Sequence, residues 1–352
     1  MNDHTRWIVQ AIVENSPEAL VANVPRDAWY RLLVRALQNR SLYRIALCLL
    51  ECDESTGLPE EVRAALAQVV DQARLVTGRH NRISRRISQI LDEMQALGIV
   101  FKTYRPFPHV PSDVDVLVES TALNELSEIL VNEDFALERH YDFPLLETRN
   151  EISALAPDGT KVDLHTEYAK EGRTIFSAEM ALATRILRDA GDHQIWQASD
   201  TVEMLALLSN IMLERKHVSL SDLLYFDHLC GAEADVPVAR SEAVRNGWGD
   251  EFDYALSLVN GLLPSIGREP RRFENMDGVP TAAGPFPELP HLLGFEEVLQ
   301  IARRTVRCHP PTAILSVLYW LYADLRRRAR RGDIIGMDAT WFDRRELEHL
   351  RP

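Results

Sequence analysis

Ahead of Gly98 the chain places apolar residues three and four apart, the repeat of a helix with one buried face. From Pro25 to about Gly98 this pattern is nearly continuous. WYRLLVRALQ and SLYRIALCLLE each predict a helix, residues 53–59 predict a loop, and PEEVRAALAQVVDQARLV opens a further helix on Pro59 with acids in its first turn. ISRRISQILDEMQALG predicts another, stopping at Gly98.

At Gly98 the repeat shortens to two. IVFKTYRPF begins as a strand, PHVPS is a loop, and DVDVLV alternates over Asp113 to Val118. TALNELSEILVNE predicts a helix, and FALERHYDF, LLETRNEISALA and KVDLHTEY predict strands, the last two joined by the turn Pro157-Asp158-Gly159. After Gly172 the helical spacing returns. SAEMALATRILRDAG predicts one helix, Asp200 is the expected cap of TVEMLALLSNIMLERKH with Glu203 three residues on, and SLSDLLYFDHLC follows. Pro and Gly crowd residues 264–294, an expected extended connection, and residues 295–352 predict C-terminal helices. There AILSVLYWLYADLRRRARR reads as a core helix whose arginines, Arg326 to Arg331, suit the negative end of the helix dipole.

The implied class is α+β: a small mixed sheet flanked by helical N- and C-terminal regions. Its expected parts are a helical region over 1–98, an α/β core over 99–175, a helical substrate-side region over 176–263, the connection, and the C-terminal helices. With 46% hydrophobic and 26% charged residues, 352 positions make a soluble globular chain and exclude intrinsic disorder. No run reaches the roughly 18 to 20 apolar residues of a spanning helix. The opening MNDHTRWIVQ lacks a basic stretch followed by an apolar one, so the expected compartment is the cytoplasm. Cys48, Cys52, Cys230 and Cys308 are scattered and imply neither a disulfide framework nor a zinc ribbon. A net charge of -14 disfavours nucleic acid as a partner held by bulk charge, so a phosphate-bearing ligand needs a locally built site.

If DVDVLV is a strand, Val114, Val116 and Val118 share one face, while Asp113, Asp115 and Leu117 share the other. Two carboxylates about 7 Å apart repel each other unless something positive lies between them. KVDLHTEY offers Asp163, His165 and Glu167 on one face in the same way, and Asp163 beside the first pair would make a third oxygen ligand for magnesium or manganese.

PSDVDVLV ahead of a helix, with DLH on a later strand, resembles the nucleotidyltransferase module of the polymerase-β superfamily. The layout around it resembles a bacterial and archaeal branch with a helical N-terminal region, a lysine-bearing strand, the D-x-D strand and the D-L-H strand. This resemblance covers roughly Ile83 to Leu229. It implies metal-dependent transfer of a nucleoside monophosphate from an NTP to an acceptor hydroxyl of a small molecule, protein or RNA, with release of pyrophosphate. Carried over by position, Asp113 and Asp115 are the expected metal-binding catalytic pair, Asp163 the third carboxylate, and Lys102 the lysine before the D-x-D strand.

The superfamily's Gly-Ser pair, which offers backbone N–H groups to a triphosphate, is missing from KTYRPFPHVPSD, and Thr103 stands where the branch usually has glycine. Lys102, Thr103, Arg105 and Ser112 are the candidates to hold phosphate instead. His165 either orients a ligand or is structural, Glu167 reads as a surface acid, and Glu214, Lys216, His217 and Asp222 in ERKHVSLSD are candidates for a substrate wall. A catalytically idle module that binds nucleotide or a partner, and a metal-dependent phosphohydrolase, are the rival readings. Neither the acceptor nor the oligomeric state is written in these motifs. On this reading Asp115→Asn abolishes transfer with little loss of melting temperature.

Overall fold

The computed structural model describes residues 3–52, 57–138, 151–170, 173–189, 194–215, 217–232, 234–273, 291–292, 347 and 350. The fold is mixed α+β, with a seven-stranded mixed sheet and helices at both ends. Four short helices come first: α1 (Asp3–Val13), α2 (Pro17–Asn23), α3 (Trp29–Gln38) and α4 (Leu42–Glu51). The first two precede the region where the apolar spacing was legible.

α5 (Glu60–Glu93) is one 34-residue helix where the sequence predicts two. Its length follows from having two cores to serve. Val62, Leu66 and Val69 pack among the N-terminal helices, while Ile87, Ile90 and Leu91 pack on the sheet. Gly78 lies between these halves, and its helix-interior cost of about 1 kcal/mol is small beside burial at both ends. The helix stops at Glu93, before Gly98, which begins β1 (Gly98–Phe101).

The sheet continues through β2 (Val114–Val118), then α6 (Leu123–Asn132), β3 (Ala136–Glu138), β4 (Glu151–Leu155) and β5 (Lys161–His165). A separate hairpin, β6 (Tyr168–Lys170) with β7 (Arg173–Phe176), follows. SAEMALATRILRDAG is not one helix. It forms the short α7 (Ala178–Ala183) and then β8 (Ile186–Asp189), which pairs with β9 (Gln194–Gln197). β1 would otherwise be an open edge, and β9 covers it in parallel at Val100, so tertiary pairing overrides the local helical spacing. The sheet order is β3-β4-β5-β2-β1-β9-β8, with β2 parallel to β5 and antiparallel to β1.

α8 (Asp200–Ser209) is capped by Ser199, whose hydroxyl accepts from the Val202 N–H, so Asp200 is the first helical residue and not the cap. A π-helical turn over Asn210–Arg215 prolongs it. β10 (His217–Val218), α9 (Leu220–Gly231), α10 (Val236–Arg245), α11 (Gly249–Leu262) and β11 (His291–Leu292), paired with β10, complete the described elements. Ser219 and Asp222 form a reciprocal capping box at the start of α9. The expected 264–294 connection begins with a 3-10 turn over Leu263–Ile266, and most of it, like the 295–352 helices and Arg326 to Arg331, lies outside the described residues.

The sheet separates two cores by strand alternation. Val114, Val116, Val118, Val162 and Leu164 join Leu126 and Leu130 of α6 on one side. Ile99, Phe101 and Leu117 join the helical core on the other, where α8 and α9 pack. At ~25 cal/mol per Å² of buried apolar area, these clusters supply most of the drive to fold. Inside the helical side Arg173 and Glu251 are an ion pair at 2.9 Å with side chains 1% and 4% exposed. Arg173→Met would leave Glu251 charged, buried and without this cation, so it is expected to lower stability by ~3–5 kcal/mol in chemical denaturation. Arg173→Met with Glu251→Leu is expected to recover most of that loss.

Candidate functional site

Asp113 immediately precedes β2, and Asp115 lies on the strand, pointing to the Leu117 side as alternation requires. Parallel pairing puts Asp115 in register with Asp163 of β5, and antiparallel pairing on the other flank puts it opposite Phe101 of β1. The three expected carboxylates therefore come from neighbouring positions on two adjacent strands.

The positive charge expected between the carboxylates belongs to Lys102. Its Nζ lies 2.9 Å from Asp115 Oδ1, and the two side chains are 17% and 5% exposed. His165 Nε2 is 3.1 Å from the same oxygen, and its Nδ1 is 3.7 Å from Glu151. Burial pushes the Asp115 carboxyl up, but Lys102 and His165 outweigh it and hold it well below the ordinary carboxylate range. Burial likewise pulls the Lys102 ammonium down, and Asp115 more than restores it.

Lys102 reaches this position from a left-handed backbone at φ 60°, a conformation that costs a non-glycine residue about 1 kcal/mol or more. Glu203 of α8 holds that backbone, accepting the Lys102 N–H at 2.8 Å and the Tyr225 hydroxyl at 3.1 Å. Lys102 Nζ also lies 4.8 Å from the centre of the Tyr168 ring. Burial pushes the Glu203 carboxyl up to about 7, against the pull of its two hydrogen bonds. Glu203 was expected only as a helix-start acid; its two partners come from elements distant in sequence.

Asp113 accepts from the Ser112 hydroxyl at 3.0 Å, and its carboxyl is pushed up to about 6 by burial and then by Asp115. Asp163 accepts from Ser153 at 2.5 Å and Lys161 at 2.8 Å, so both of its oxygens are engaged. Among the described residues no group of three His, Cys, Asp or Glu side chains is arranged to hold a metal ion. Asp113 and Asp115 nonetheless fit a hard dication by chemistry: both are oxygen donors lining the same cleft, and the proximity of the two carboxylates raises the Asp113 carboxyl further than burial alone.

The carboxylate pair opens into a cleft that is partly open to solvent. Lys102, Arg105 and Ser112 line it as expected, whereas Thr103 does not; its hydroxyl donates to the Phe101 carbonyl at 3.2 Å. Arg105 is already anchored, donating to Ser221 O at 3.0 Å and Oγ at 2.7 Å beside Asp222 at 3.5 Å. His165 sits behind Asp115 as its support, and the strand ends there, so Glu167 does not continue the acidic row; it accepts from Thr174. His217 turns Nδ1 to the Arg215 carbonyl at 3.1 Å instead of lining the cleft, and burial and Arg215 push it down to about 4. Lys216 lies outside the described residues.

Arg40, His109, Glu214 and Arg215 also line the cleft, and only Glu214 lay among the residues suspected there. Glu214 pairs with Lys170 at 2.9 Å; burial raises its carboxyl, and Lys170 and Lys102 bring it down to about 2. The π-helical turn places Glu214 and Arg215 here, a widening of the kind frequent at functional sites. No family model matches the chain, and no curated protein is significantly similar to it.

The buried pair revises one expectation. Asp115→Asn removes half of it and strands the Lys102 ammonium, so a melting-temperature loss is expected together with any loss of activity. Adding Lys102→Met is expected to restore stability, and a double-mutant cycle in denaturant measures the coupling. Asp113 behaves oppositely. Its folded-state value lies above its unfolded one, so its ionisation costs stability above about pH 6, a cost that fades towards about pH 4. Without metal, Asp113→Asn is thus expected to raise the melting temperature at pH 7.5 and to give no gain at pH 4.

Proposed function

We propose that the chain is a metal-dependent nucleotidyltransferase that moves a nucleoside monophosphate from an NTP to an acceptor hydroxyl and releases pyrophosphate. The observation that carries this reading is the pairing of β2 with β5. It brings Asp113, Asp115 and Asp163 to one end of two parallel strands, with the first two in a cleft whose opposite wall is cationic. Phosphoryl transfer asks a protein chiefly for positioning and charge compensation, and this arrangement offers both.

Asp113 and Asp115 would hold magnesium or manganese. That ion supplies Lewis acidity, which lowers the pKa of the acceptor hydroxyl and screens the phosphates. The chain's own residues do the rest. Lys102 and His165 keep Asp115 ionised and fixed in direction. Ser112 orients Asp113. Ser153 and Lys161 hold Asp163 against β4, in register with Asp115 on the neighbouring strand. Glu203 fixes the Lys102 backbone so that its ammonium faces the cleft, where a phosphate group would compete with Asp115 for it.

One observation favours the idle binding module: Lys102 already neutralises Asp115, as a metal would. The two readings separate in one assay. Wild type and Asp113→Asn are incubated with magnesium or manganese and the four α-labelled NTPs, with and without metabolite and RNA extracts. Label transferred by wild type alone, with a loss of about 100-fold or more in the variant, is expected. Nucleotide binding without transfer or hydrolysis would establish the idle module, and release of phosphate or monophosphate without acceptor would establish the phosphohydrolase.

A further inference from the structure

Beyond the carboxylate pair the cleft gathers three guanidinium groups, Arg40, Arg105 and Arg215. Arg105 and Arg215 share a single fully buried carboxylate, Asp222, which Arg215 grips at 2.9 and 3.1 Å. Arg40 faces the same space, and among the described residues no hydrogen bond or ion pair to its guanidinium occurs. Burial, Arg215 and Arg105 all press on its charge, lowering it to about 10. The Nε atoms of Arg105 and Arg215 are buried without a partner among the described residues. His109, pushed well below its ordinary value by burial and by Arg105 and Arg40, contributes a neutral ring to the same wall.

The three guanidinium groups repel one another, Asp222, Glu203 and Glu214 offset part of that repulsion, and the fold spends conformational energy to keep Arg40 there. Its backbone is left-handed at φ 54°, like that of Lys102. The corner carrying it is clamped to the start of α9. Asn39 Oδ1 accepts the Leu220 N–H at 3.2 Å, and Asn39 O accepts the Ser221 N–H at 3.3 Å. A planar guanidinium is suited to bidentate contact with phosphate oxygens, and a linear chain of phosphates supplies several such oxygens in a row.

We propose that Arg40, Arg105 and Arg215 form an anion site that takes the condensed phosphate chain of the nucleotide, replacing the Gly-Ser backbone contacts absent from this chain. This rests on the nucleotidyltransferase reading for the nucleotide's presence, though the anion site is testable alone. It makes the α3–α4 corner of the helical N-terminal region part of the catalytic cleft.

The test is calorimetric titration of the full chain with inorganic tripolyphosphate, ATP and orthophosphate in EDTA. Arg40→Asn is the variant, since asparagine tolerates the left-handed backbone, and Arg31→Asn, at an exposed position of α3, is the control for net charge. Arg40→Asn is expected to weaken tripolyphosphate and ATP about tenfold or more, Arg31→Asn to stay within about twofold, and orthophosphate to bind more weakly than the chain. Melting temperature without ligand is expected not to fall in Arg40→Asn. Equal affinity in Arg40→Asn and wild type, equal losses in both variants, or orthophosphate binding as tightly as tripolyphosphate would each overturn the proposal. Label transfer by a wild type whose tripolyphosphate affinity ignores Arg40 would sink the anion site alone. Arg40-dependent tripolyphosphate binding in a protein that never transfers label would sink the transferase reading alone.

Discussion

Lys102 and Asp115 are buried against each other between the sheet and α8, and neither charge could stand there alone. Desolvating one ion costs several kcal/mol, so the pair forces a set of dependent choices. His165 takes the other approach to Asp115, Tyr168 faces the ammonium, and Glu203 receives the N–H of a backbone turned left-handed to bring the lysine inward. These partners come from two strands and a helix. The pair thus ties the central sheet to the helical layer at the point where the cleft begins.

The cleft has charge of opposite sign on its two walls, and each wall is made by a different layer. The sheet contributes Asp113 and Asp115. The N-terminal helices contribute Arg40, the loop after β1 contributes Arg105, and the π-helical turn contributes Arg215. Asp222, Glu203 and Glu214 are shared among these cations, and Lys102 offsets part of the acidic charge. An elongated ligand that is anionic at one end and carries a metal ion at the other would complete both walls, which is why the nucleotide reading and the anion site are mutually supportive.

Two departures from the expected elements have a common physical cause. The hairpin β8–β9 and the unbroken α5 both arise because a long-range surface needed covering: the β1 edge in one case, and two separate cores in the other. Local spacing records which residues are apolar but not how far the same element must run. At α9 the local signal suffices, since the Ser219 and Asp222 capping box is self-contained within four residues.

The sequence alone determined what depends on nearest neighbours along the chain: the α+β class, the alternation of β2 and β5, and the faces of their side chains. Val114, Val116 and Val118 enter one core because a strand has period two, and the same periodicity sends Asp115 and Asp163 to the other side. Lys102, Arg105 and Ser112 were legible at the cleft because they flank that strand in sequence. Only the tertiary structure decided that Lys102 would be the counter-ion of Asp115, that Thr103 would turn inward to Phe101, and that Arg40 and Glu203 would reach the same cleft. Arg40 and Asp113 are 73 positions apart. No spacing rule connects such residues, because their meeting depends on how whole layers pack.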